Sequence, residues 1–309
     1  MKFFIACCFI YLLPQSVLAQ AVAADSLVTT SIDFVSDTQQ PLFVEKIYRK
    51  TNHNTIATAK IFSALLKDKP SALFMTGDVV SLGYSNNKWK KVDVFLDSAR
   101  QEGVKVYGLL GNHDVMICDN KGERNFNKRF TEHIRTGYIE VVDSIAIILL
   151  NSNFSKLPAP ERDQQQQWFI KTADSLNNSN SIKGIIVSSH HPVYTNSTVV
   201  KPSAMLTKNF LPTFINTKKC ILFITGHAHT FEHFQYQNKN FLVIGGGGGI
   251  HQKTKTKANM PADISADYKP YFHYLNIKRY GNLLELKSYF LKPDFSGFSG
   301  GYSFSINLR

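Results

Sequence analysis

The sequence predicts an α/β fold with an all-strand C-terminal part, and three observations carry that prediction. From about residue 30 to residue 244, short β-rich segments alternate with stretches of helical period. Some β-rich segments are unbroken apolar runs, such as Ile-Ala-Ile-Ile-Leu-Leu at 145–150, the pattern of a strand buried on both faces. Beyond residue 270 the helical period disappears, leaving strand-like runs separated by Gly and Pro.

The elements follow in order. Residues 32–36 predict a strand that ends at Asp37. Residues 55–66 predict a helix, because Ile56, Ala59, Ile61, Phe62 and Leu65 form a stripe of roughly helical spacing, and Lys69-Pro70 ends it. A strand at 72–75 leads to Gly77-Asp78, a helix follows at 92–102, and a strand at 104–110 leads to Gly111-Asn112-His113-Asp114. After the strand at 145–150, a helix at 161–176 is introduced by Pro158 and Pro160. Strands at 184–188 and 221–224 lead to His190-His191-Pro192 and Gly226-His227-Ala228-His229, and a strand at 241–244 runs into Gly245 to Gly249. The tail predicts strands at 271–277, 283–291 and 302–308. Neither a linker nor a fixed-period repeat interrupts the pattern, which predicts a single domain over residues 25–309.

A chain of 309 residues with 43% hydrophobic content can bury a substantial core. Its formal charge of +12 attracts anions such as phosphates, or simply maintains solubility. Lys88-Trp89-Lys90-Lys91 is the nearest approach to a basic cluster and is short, so no nucleic-acid partner is expected. Lys2, the apolar run 3–13 and the small residues around Ala19 and Ala21 describe a signal peptide over residues 1–21, which predicts a secreted or periplasmic protein. That run is too short to span a bilayer, and no later run is long enough, so the mature chain is expected to have no membrane span. Removing the leader takes Cys7 and Cys8 with it and leaves Cys118 and Cys220, either as one disulfide or as two isolated thiols.

The polar residues at the strand ends carry the functional information. Asp37, Asp78, Asn112, His190 and the pair His227/His229 each follow a predicted strand. In open α/β sheets, ligands bind beyond the carboxyl ends of the strands, where loops converge. Alone, each residue also reads as a turn, a helix cap or a buried histidine. Together they form a mixed nitrogen and oxygen donor set suited to metal ions.

The segments Ser36-Asp37-Thr38-Gln39, Gly77-Asp78, Gly111-Asn112-His113-Asp114, His190-His191-Pro192 and Gly226-His227-Ala228-His229 resemble, in order, the five motifs of the calcineurin-like metallophosphoesterases, which include the purple acid phosphatases. The resemblance implies a four-layer α/β/β/α sandwich and two metal ions, divalent or of mixed valence (Mn, Fe, Zn or Mg). It implies that Asp78 bridges them, that Asp37 and His229 hold the first, and that Asn112, His190 and His227 hold the second. A metal-bridging hydroxide would then attack a phosphate ester of a small molecule, with His113 facing the phosphoryl and leaving groups as a catalytic residue. The alternatives are a phosphodiesterase acting on nucleotides or lipid head groups, and a non-catalytic binding protein.

Two positions depart from the family pattern. The first motif usually reads Asp-x-His, and here Gln39 takes the histidine's place as a weaker, neutral candidate ligand. The position at which purple acid phosphatases carry a metal-binding tyrosine is Ser81, so no tyrosinate colour is expected. Among other polar residues, His191 is expected to orient its neighbours, His233 to be structural, and the glycine run to pack against the metal-binding loops.

Overall fold

A computed structural model describes residues 28–308; the expected signal peptide lies outside the described residues. In chain order the elements are β1 (Val28–Val35), α1 (Phe43–Tyr48), α2 (Asn54–Asp68), β2 (Ala72–Met75), α3 (Asn86–Gln101), β3 (Lys105–Gly108), α4 (Asp119–Asn127), β4 (Tyr138–Val142) and β5 (Ile145–Leu150). They continue with α5 (Ala159–Asn178), β6 (Gly184–Ser189), α6 (Ala204–Asn209), α7 (Leu211–Asn216), β7 (Cys220–Thr225), β8 (Phe231–Tyr236), β9 (Lys239–Ile244), β10 (His273–Tyr280), β11 (Leu283–Leu291) and β12 (Phe298–Asn307).

Two six-stranded sheets result, ordered β12-β11-β10-β1-β2-β3 and β4-β5-β6-β7-β9-β8. Their period-2 alternation builds the layers. In β5, Ile145, Ile147 and Leu149 enter the core between the sheets, where Ile32 and Phe34 of β1 also lie. Ala146, Ile148 and Leu150 instead meet a second core that includes Phe169 of α5 and Phe214 of α7. Leu73 and Met75 of β2 meet a third core with Ile61 of α2 and Phe95 of α3. β2 and β5, buried on both faces, therefore carry apolar residues at every position, and the layers are the expected α/β/β/α.

β1, β2 and β3 run parallel, as do β5, β6, β7 and β9, so their carboxyl ends carry the loops of one shared edge. α3 begins at Asn86, earlier than its hydrophobic pattern suggests, and buries Trp89, whose Nε1–H donates to the Gly83 carbonyl at 2.8 Å. In α2 the buried face is Ala57, Thr58, Ile61, Phe62 and Leu65, whereas Ile56 is 51% exposed and Ala59 also faces outward. α1, α4, α6, α7, β4 and β8 were not legible in the sequence, being short, polar or half-exposed. Cys118 is exposed and Cys220 buried, and both are free thiols. Among the described residues no helix is long and apolar enough to cross a membrane.

Candidate metal centre

The loops after β1 and β2 place the first two carboxylates through strained backbone. Asp37 and Asp78 adopt left-handed conformations with φ of 59° and 50°, as does His227 with φ of 66°. Asp37 N–H donates to the Gly77 carbonyl at 3.0 Å, and both Asp37 carboxylate oxygens accept the His227 N–H, at 3.1 and 3.0 Å. Asp78 Oδ1 accepts the His113 N–H at 2.7 Å. Asp114 ties the β2 and β3 loops together by accepting the N–H groups of Gly111 (2.9 Å), Val80 (3.1 Å) and Val79 (3.3 Å). Gly111 permits this approach, because a Cβ there would lie 2.0 Å from Asp78 N. The glycine run packs on the same loops: a Cβ on Gly249 would lie 2.4 Å from His229 Cε1. Asn54 Nδ2 donates to the Gly248 and Gly249 carbonyls, at 2.8 and 2.9 Å.

Two clusters form around one shared carboxylate. Ligand atoms of Asp37, Asp78 and His229 lie within 4.8 Å of one another, and so do those of Asp78, His190 and His227. Asn112 Oδ1 is 3.1 Å from His190 Nε2, which places it in the second cluster. The histidines are oriented from behind. His190 Nδ1–H donates to the Thr76 carbonyl (3.1 Å) and His229 Nδ1–H to the Ile250 carbonyl (2.8 Å), so each turns Nε2 toward the carboxylates. This is the arrangement that fixes the tautomer of a metal-bound imidazole. His190 Nε2 stands 3.4 Å from Asp78 Oδ2, and His229 Nε2 stands 3.3 Å from Asp37 Oδ1.

Gln39 belongs to the first cluster by position. Its amide contacts Asp78 Oδ2 at 3.2 Å and His229 Nε2 at 3.3 Å, and its Oε1 is buried without a hydrogen-bond partner. Rotating the amide by half a turn would direct this oxygen at the cluster as a neutral donor.

Electrostatics points the same way. Burial alone would raise the pKa of Asp78, but the neighbouring His190 and His113 hold it well below the usual carboxylate range. Burial opposes protonation of His190, yet Asp78 overrides it and pulls the pKa up to about 9. His227 lies well below its ordinary value, through burial and then the proximity of His190 and His191, so it offers the neutral imidazole a metal requires. Without a cation, a proton on His190 must balance the buried Asp78. A metal ion would satisfy the converging oxygen and nitrogen lone pairs directly, and the donor set therefore fits two ions sharing Asp78.

His113 sits beside the clusters. Its Nδ1–H donates to the Ser81 carbonyl at 3.1 Å, and its Nε2 lies 3.9 Å from Asp78 Oδ2. The structure thus brings together Asp37, Gln39, Asp78, Asn112, His113, His190, His227 and His229. His191 lies one layer back: its ring centroid is 4.4 Å from that of His227, and Ser152 Oγ bonds its Nδ1 at 2.9 Å. His233 is held by Tyr302 OH and Asn240 Oδ1, both at 3.0 Å, which makes it structural. Sequence reasoning quoted Asp114 only as part of a motif and overlooked Asn54; the spacing of neither reveals that it braces the loops.

A family model for the calcineurin-like phosphoesterases matches residues 30–231. The chain belongs to that family. No curated protein matches it by sequence. Among solved structures it is similar to a purple acid phosphatase from yellow lupin (Lupinus luteus) at 15% identity and a TM-score of 0.65, covering 90% of this chain and 53% of that one. The chain thus spans about half the length of the lupin protein. It also resembles the anchor in the inner membrane complex of Plasmodium, at 14% identity and a TM-score of 0.67 over 91% of this chain and 89% of that one. A dimetal phosphatase from Danio rerio aligns at 12% identity and a TM-score of 0.52, covering 91% and 99%. At these identities the likeness establishes the fold alone, which an anchor protein and phosphatases share.

Proposed function

We propose that this chain is an exported dimetal phosphoesterase that hydrolyses phosphate monoesters of small molecules. The observation that carries the reading is the pair of Asp/His clusters sharing Asp78. Asp37, His229 and Gln39, with Asp78, would hold the first ion; Asn112, His190 and His227, with Asp78, would hold the second. When bound, such ions lower the pKa of a water and neutralise phosphate oxygens. The protein's own part is positional. Thr76 and Ile250 orient the two anchored imidazoles, the His113 N–H fixes Asp78, and the Ser81 carbonyl fixes the His113 tautomer so that Nε2 is the nitrogen free to exchange a proton with a leaving oxygen. Nitrogen and oxygen donors of this kind accept Mn, Fe, Zn or Mg.

Export rests on the leader pattern of residues 1–21, and the N-terminal sequence of the mature protein tests it. A panel of p-nitrophenyl phosphate against bis-p-nitrophenyl phosphate tests the activity. Faster turnover of the monoester is expected; a preference for the diester would replace the monoester reading, and hydrolysis of neither would remove it.

A further inference from the structure

We propose that the substrate carries a single apolar chain, which lies in a groove between α2 and α3 opening onto the metal centre. This rests on the phosphoesterase reading and adds the substrate's chemical class. The groove encloses about 770 Å³. Ala59, Phe62 and Leu66 come from one face of α2, and Val92 and Phe95 from one face of α3. The Phe62 and Phe95 rings stack on each other at 4.0 Å and 7°, so the two helices are in contact beneath the groove. From Thr55 to Leu66 the α2 wall runs roughly 16 Å at the helical rise per residue, the scale of a medium-length alkyl chain.

The inner end of the groove reaches the loops that carry the site. Gln39 and Ser81, from the loops that carry Asp37 and Asp78, both line it. Gln39 is also in contact with Asp78 and His229 of the first cluster, so it joins this end of the groove to the metal centre. Lys88 and Lys91, both exposed, stand on the α3 side and complement an anion. An apolar lining, Gln39 at the inner end and basic residues alongside match an amphiphilic phosphoester, with its phosphate at the metals and its chain along the groove over the Phe62–Phe95 stack. A polar leaving group would leave the apolar walls wet.

The test is a chain-length series on the mature holoenzyme. For ethyl to decyl phosphate, all kept below micelle formation, kcat/KM is expected to rise with each methylene, by up to about fourfold at full burial. Ala59→Trp and Ser63→Trp, which fill the groove, should flatten the decyl-to-ethyl ratio. Calorimetry with ethyl and decyl phosphonates reads the same preference without turnover. A decyl phosphonate with a terminal diazirine should label residues 54–68 or 86–101, whether or not the tryptophan variants fold. Equal kcat/KM and equal affinity across the series would overturn the proposal, as would a gradient that persists in folded variants or labelling elsewhere, including residues 22–27. Tighter binding of the longer phosphonate without hydrolysis of any ester would retain the groove and reject the phosphoesterase reading.

Discussion

Replacing His113 by alanine separates metal binding from proton transfer, because the two use different atoms of the same residue. Asp78 Oδ1 is held by the His113 backbone N–H at 2.7 Å, which alanine retains. The imidazole alone is lost, with its bond to the Ser81 carbonyl at 3.1 Å. One such bond is worth about 1 kcal/mol, so the unfolding free energy should fall by no more than ~1–2 kcal/mol. Metal content should stay at the wild-type level. Turnover should drop by ~10²–10⁴, the usual worth of a positioned general acid, or ~3–5 kcal/mol in the barrier. The assay compares phenyl phosphate with p-nitrophenyl phosphate, each with metal analysis on the same preparation. The poorer leaving group needs the proton more, so phenyl phosphate should lose the larger factor. Equal losses for both esters would refute proton donation, and unchanged turnover or loss of metal would refute the assigned geometry.

Three further predictions address other residues. Gln39→His should tighten the first metal site and Gln39→Ala should weaken it alone, as read by metal titration; unchanged titrations would exclude Gln39 as a ligand. Metal affinity should rise with pH between about 6 and 9, because the proton that Asp78 holds on His190 (pKa about 9) has to leave; a pH-independent dissociation constant would contradict this. Asp33 is fully buried with Oδ2 unpartnered, and burial raises its pKa from 3.8 to about 7. The folded state therefore holds this proton more tightly than the unfolded chain, and stability should fall as pH rises from about 4 to 7, by on the order of 4 kcal/mol. Asp33→Asn should flatten that slope in urea unfolding, and an unchanged slope would show that other groups carry it.

The fold was legible where burial on both faces left no choice of residue. Ala72–Met75 and Ile145–Leu150 have the bounds that their apolar runs indicate, and both are central strands. It was illegible where tertiary contacts replace local pattern. α4 is largely polar and has few buried residues beyond Asn125 and Phe126. In α2, Thr58 rather than Ile56 is buried because it shares the face of Ile61, Phe62 and Leu65, and its hydroxyl has the Asn54 and Gly247 carbonyls, each at 3.1 Å, as alternative acceptors. The candidate ligands were legible because each follows a strand whose carboxyl end meets the shared edge. Their bracing was not, since Asp114 acts by accepting three backbone N–H groups that no spacing rule anticipates.

The central claim is that two metal ions share Asp78 and perform phosphoester hydrolysis. The most direct measurement is metal stoichiometry on the mature protein, coupled to p-nitrophenyl phosphate turnover before chelation, after it, and after metal is restored. The account predicts two ions per chain, loss of turnover with the chelator, and recovery when metal returns. Fewer than one ion per chain together with no hydrolysis after metal addition would contradict it.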